Sequence, residues 1–66
     1  MRKSEILKYG KENKVLVKWT SENHKFANGT YEEYSVHTVG YNGGLIWGHY
    51  YNQIEDAQEY FKKYEY

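Results

Sequence analysis

The run Tyr34-Ser35-Val36-His37-Thr38-Val39-Gly40-Tyr41-Asn42-Gly43-Gly44-Leu45-Ile46-Trp47-Gly48-His49-Tyr50-Tyr51 decides the fold. Its two flanks, 34–39 and 45–51, are rich in β-branched and aromatic residues, which suit a pleated, half-buried surface. Between them, Asn42-Gly43 supplies two residues that tolerate the positive φ of a two-residue hairpin turn. With those two as the loop, Tyr41 opposes Gly44, Thr38 faces Trp47, Val36 faces His49 and Tyr34 faces Tyr51. Side chains alternate across a strand, so these residues share one sheet face with Leu45. That face carries the greater bulk and is expected to be the core. Ser35, His37, Val39, Ile46, Gly48 and Tyr50 are left for the other face. A slip of one residue would reverse the assignment.

The hairpin needs a cover, and the C-terminus offers one. Ile54, Ala57, Phe61 and Tyr64 recur at helical spacing and form one apolar stripe. Asn52 is the expected N-cap, with Glu55 three residues on completing a capping-box pattern. Glu55 and Asp56 fall in the first turn and Lys62 and Lys63 near the last, as the helix dipole favours. The spacing predicts a helix from Gln53 to about Tyr64.

Upstream, Val15-Leu16-Val17-Lys18-Trp19-Thr20 reads as another strand, followed by a polar loop from Ser21 to Thr30. Ile6-Leu7-Lys8-Tyr9 reads as strand rather than as a short helix stopped by Gly10, because one or two isolated helical turns are marginal. The expected fold is α+β. A three- or four-stranded antiparallel sheet carries one C-terminal helix on one face, in a single domain spanning 1–66, with the opposite face open.

Composition bounds what such a domain does. A chain of 66 residues buries only about 60% of its unfolded surface, so its core is thin. With no cysteine, disulfides and thiolate metal sites are excluded. The mass that remains is aromatic: nine Tyr, two Trp and two Phe. No apolar run reaches the length of a signal peptide or a membrane span, so the cytoplasm is the expected location. Asn28-Gly29-Thr30 matches a glycosylation sequon but reads as a turn. Net charge is zero, yet residues 1–26 carry seven basic against three acidic groups, and residues 27–66 two against six.

Catalysis needs activated groups that converge. His37 and His49 fall on opposite faces of the hairpin. His24 sits in a loop beside Ser21 and Glu22, without the oriented relay that a nucleophilic site requires. Glu32 and Glu33 alternate across a strand. The glycines of 40–44 lead into a strand rather than a helix, so they form no phosphate cradle. No enzyme activity, cofactor or metal is expected.

Binding classes remain. Tyr31, Tyr41, Tyr50 and Trp19 are expected to be partly exposed, and Tyr and Trp anchor protein interfaces. Glu55, Asp56 and Glu59 on the helix add negative potential toward a basic partner. The expected function is contact with a larger protein, as its inhibitor or regulator. In size and style alone the chain is comparable to small phage inhibitors of host defence, anti-CRISPR proteins among them. A second copy of the chain is also compatible with so thin a core. The alternative is a single-stranded nucleic-acid platform, with Lys14, Lys18 and Lys25 tracking phosphates beside the sheet aromatics.

Overall fold

A computed structural model describes residues 2–27 and 29–66; Asn28 of the sequon lies outside them. The chain forms an antiparallel meander, β1 (Arg2–Tyr9), β2 (Lys14–Ser21), β3 (Glu32–Val39) and β4 (Leu45–Tyr51), followed by α1 (Ile54–Phe61). The sheet order is β1-β2-β3-β4, so β1 and β4 are its edges. This is the expected α+β class, with four strands and one C-terminal helix. Residues 6–9 belong to a strand, as the weakness of short isolated helices implies.

In the first hairpin Tyr9 pairs with Val15 and the Gly10 N–H donates to the Lys14 carbonyl at 2.8 Å, so Lys11, Glu12 and Asn13 form a three-residue loop. Glu12 and Asn13 take φ of 57° and 60°, and the Lys14 N–H donates to the Lys11 carbonyl. The second hairpin has a three-residue loop, Tyr41-Asn42-Gly43. The Gly43 N–H donates to the Gly40 carbonyl at 2.8 Å and the Gly40 N–H to the Gly44 carbonyl at 2.7 Å. Gly43 alone in this loop adopts positive φ, 85°, which is the known way to close a three-residue hairpin. The Asn42 side-chain oxygen accepts from the Gly44 N–H at 3.0 Å.

That extra loop residue corrects the expected register. Thr38 pairs with Ile46, not Trp47, and Val39 pairs with Leu45. A bulge between these pairs and Val36–His49 absorbs the offset, and the expected pairs Val36–His49 and Tyr34–Tyr51 are then restored. Leu45 therefore leaves the helix side, and Trp47 leaves the core altogether, at 74% exposure.

On the helix side, Leu16, Val36, Ala57 and Phe61 form the buried cluster, with Tyr34, Tyr51 and Tyr60 packed around it. The helix begins one residue later than expected. Its N-cap is Gln53 rather than Asn52, and no side chain caps it; a single 3-10 turn, Lys62–Tyr64, extends its far end. Phe61 reaches under Gly10, where the chain turns. A Cβ on Gly10 would lie 2.6 Å from the Tyr64 carbonyl oxygen and 2.7 Å from the Phe61 ring. Gly10→Ala is therefore expected to destabilise by about 1–3 kcal/mol through overpacking. A thermal melt checks it; an unchanged midpoint would mean the turn does not approach the helix this closely.

The opposite face is not the open platform that was expected. Val15, Val17, Ser35 and His37 are all buried there. They align across β2 and β3, with Val15 opposite His37 and Val17 opposite Ser35. Trp19 folds down over them, its indole N–H donating to the Ser35 hydroxyl at 2.7 Å. The rings of Trp19 and Tyr50 stand edge-on to His37, with centroids 6.2 and 5.5 Å away. The thin helix-side core is thus supplemented by a second layer, because interior aromatics bury large areas each.

Candidate protein-binding surface

Eighteen consecutive residues, 34–51, contain no Asp, Glu, Lys or Arg, in a chain that is 27% charged. Depletion of charge together with Tyr and Trp enrichment is what marks the centre of an interface. Most of this run is the β3–β4 hairpin, and its outer strand is a sheet edge. Exposed on it are Tyr41 at the loop, and Ile46, Trp47 and Tyr50 along β4.

Trp47 is the unusual member. Its φ is 51°, a left-handed conformation that is uncommon for large side chains and costs of order 1–3 kcal/mol. Two neighbours hold it there. The three-residue loop leaves one residue too many on β4, and a bulge is how a strand accommodates it. Next to it, Gly48 lies so close to His37 that a Cβ would come within 2.4 Å of the imidazole. Only glycine fits beneath that ring, so the strand approaches β3 at Gly48 and turns the Trp47 side chain outward.

His37 is itself strained in a chemical sense. It is 4% exposed, and neither ring nitrogen has a hydrogen-bond partner. Burial holds its basicity below the ordinary histidine value of 6.5; the nearby Ile46 carbonyl opposes this shift and His49 reinforces it. The Ile46 carbonyl is close enough to favour the protonated ring but does not form a well-aligned hydrogen bond. The unfolded chain therefore takes up a proton at a higher pH than the folded one. Stability is expected to be full above about pH 7 and to fall as pH drops through the 6.5 region, levelling off once the folded imidazole also titrates. Urea melts at about pH 7.5 and about pH 5.5 check this. His37→Phe should flatten the difference, and an equal acid loss in that variant would assign the effect elsewhere.

The other expected site residues are dispersed. Tyr31 is exposed but lies at the opposite end of β3 from Tyr41, with the Lys25 ammonium 5.8 Å from its ring centre. Glu55, Asp56 and Glu59 are exposed on α1. Glu55 and Glu59 line a groove of about 430 Å³ that also holds Lys8 and Lys62, so that side of the helix is of mixed charge. Trp19 is half-buried, as expected, with its indole N–H tied to the Ser35 hydroxyl. The signal missed in the sequence was Gly48: an isolated glycine in a strand pattern marks a bulge or a close backbone approach.

The residues weighed for chemistry stay apart. His37 faces Trp19 and Tyr50, whereas His49 stacks on Tyr60 of α1 at 4.8 Å. The Ser21 hydroxyl accepts the backbone N–H of His24 at 3.1 Å, acting as a turn cap. Glu22 pairs with Lys3 at 3.3 Å. Among the described residues, no three His, Asp or Glu side chains gather as metal ligands. No described helix is long and apolar enough to cross a membrane.

The lysines weighed for phosphate contact are likewise engaged. Lys14 donates to the Thr38 hydroxyl at 2.6 Å and lies over the Tyr64 ring. Lys18 pairs with Glu32 at 3.3 Å, and that carboxylate raises its basicity. Both pair across the sheet with residues of the helix side, Thr38 and Tyr34, whereas Trp19 and Tyr50 lie on the other face. Comparisons with protein-family models, characterised proteins and solved structures find no match to this chain.

Proposed function

We propose that this chain is a non-enzymatic binding domain that inhibits or regulates a larger protein in the cytoplasm, with the β3–β4 hairpin as its contact surface. One observation carries the reading. An exposed tryptophan is held in a costly backbone conformation at the middle of an uncharged sheet edge. Local strain of this kind concentrates at functional sites, and tryptophan is the side chain most enriched among interface anchors. Tyr41, Ile46 and Tyr50 supply the surrounding apolar contact. Glu55, Asp56 and Glu59 serve at most as a rim that steers a basic partner, since exposed charges act on association rate more than on affinity.

The nucleic-acid alternative finds less support. Lys14 and Lys18 lie on the opposite face from Trp19 and Tyr50 and already bind side chains of the domain, which leaves Lys25, beside Tyr31, apart from them. The test is an affinity capture from cell lysate treated with nuclease, run in parallel with wild type and Trp47→Asn. Recovery of one protein by wild type and its loss in the variant supports the reading. Binding of single-stranded oligonucleotides at micromolar affinity, abolished by Lys14→Ala and Lys18→Ala, would replace it with the alternative.

A further inference from the structure

The second sheet edge has a pattern of its own. Strand β1 pairs only with β2, so its outer main-chain groups have no strand partner. At its centre Ile6 and Leu7 are exposed, flanked by Glu5 on one side and Lys8 on the other. Charged edge strands repel most added strands, and they accept one whose charges are opposite in register. We propose that β1 is the contact of a two-fold dimer, and that its partner is β1 of a second copy of this chain.

The register follows from the residues. In an antiparallel pair centred between Ile6 and Leu7, Glu5 of one copy stands opposite Lys8 of the other, and the two-fold repeats the pair. Ile6 then meets Leu7, and Ser4 meets Tyr9. In a regular strand Glu5 and Lys8, three residues apart, would point to opposite faces and could not meet this way. Here the register against β2 shifts between Ile6 and Lys8, and this bulge brings them to one face. Glu5 pairs with Lys18 and Lys8 with Leu16, both on the helix side; Ser4 pairs with Trp19 and Tyr9 with Val15, both on the other. The faces therefore agree for Glu5 with Lys8 and for Ser4 with Tyr9, the pairs on either side of the bulge. Centring the pair on Glu5 would instead oppose two carboxylates, and centring it on Ser4, which also sets Lys3 against Glu5, would place Ile6 opposite Arg2; only the first register joins unlike charges around an apolar centre. Lys8 now meets Glu65 at 2.6 Å, but both side chains are more than a third exposed, and so exposed a pair is exchanged at little cost.

The product is a continuous eight-stranded sheet with the two hairpins at its outer edges. It leaves Trp47 uncovered, so the inference is independent of the function proposed for the hairpin. It also answers the thin core, since oligomerisation is one way in which small domains gain stability.

Sedimentation equilibrium of the whole chain tests it. Wild type is expected to dimerise with rising concentration. Glu5→Lys alone or Lys8→Glu alone should weaken the dimer about tenfold or more, and the two together should restore it to within a few-fold. Trp47→Asn should leave it unchanged. A wild-type monomer at about millimolar concentration would overturn the proposal, as would a dimer indifferent to both single reversals. A dimer dissolved by Ile46→Lys but not by Glu5→Lys would place the contact on β4 and overturn it equally. A circular-dichroism melt of each single variant, matching wild type within a few degrees, shows that it folds.

Discussion

Phe61→Ala is expected to remove about 3–5 kcal/mol of stability, the range for deleting a fully buried aromatic ring. Phe61 is 0% exposed and sits where the helix meets Leu16, Val36 and the turn at Gly10. A domain of this length has a total stability of only about 3–10 kcal/mol by the usual per-residue figure. The loss is thus a large fraction of the total, and the variant's melting temperature and urea midpoint should both fall steeply. Phe61→Leu should retain most of the fold. A melting temperature within a few degrees of wild type for the alanine variant would show that the helix does not depend on this ring.

Trp47 should behave in the opposite way. Replacing it by Asn, which tolerates positive φ, is expected to leave stability unchanged or raise it by up to about 1 kcal/mol, since strain at 51° is relieved and little burial is lost. The same change should cost about 2 kcal/mol or more of affinity for the captured partner, roughly 30-fold, as truncating a central anchor does. Glu59→Ala should do little to the affinity at physiological salt and instead slow association. The pairing of a neutral or positive stability change with a large loss of binding separates an anchor from a structural residue. A Trp47→Asn variant that unfolds, or that binds as well as wild type, would remove Trp47 from the contact.

The large elements were legible because each rested on agreement between independent local signals. The apolar stripe Ile54, Ala57, Phe61 and Tyr64 and the placement of charge at both ends marked the helix, even though its cap proved to be Gln53. For β2, the unbroken apolar run Val15-Leu16-Val17 marks the strand, and all three residues are buried because both faces of the sheet are covered. The hairpin was legible as a hairpin. Its loop was not, because Gly40-Tyr41-Asn42-Gly43-Gly44 offers glycine at three positions and so admits two- and three-residue closures alike.

The candidate site was lost through that one residue. Leu45-Ile46-Trp47-Gly48-His49-Tyr50-Tyr51 is apolar or aromatic nearly throughout, so it has no alternation to pin its register. Counting from a two-residue loop therefore puts Trp47 on the core side, whereas the three-residue loop and its bulge put it in solvent. Tyr41 and Tyr50 were placed at the surface, where they are. Tyr31 rests on residue type alone, which does not specify which end of a sheet a side chain occupies; Glu55, Asp56 and Glu59 follow from the helix face that the apolar stripe leaves in water, and they are exposed there.

The sequence by itself determined the class of the molecule: an α+β fold without cysteine, with an antiparallel hairpin and a C-terminal helix laid across it. These follow from periodicity, turn-forming residues and composition, all of which act over a few residues at a time. The expected aromatic core is mostly aliphatic, with Phe61 its one fully buried ring among the described residues. Tertiary structure alone decided the length of the hairpin loop, the bulge at Trp47, and the closing of the second face over His37. Those depend on which ring can lie against which backbone. Gly48 admits the His37 imidazole and no Cβ between them, and that contact across two strands is what turns Trp47 from the core to the solvent.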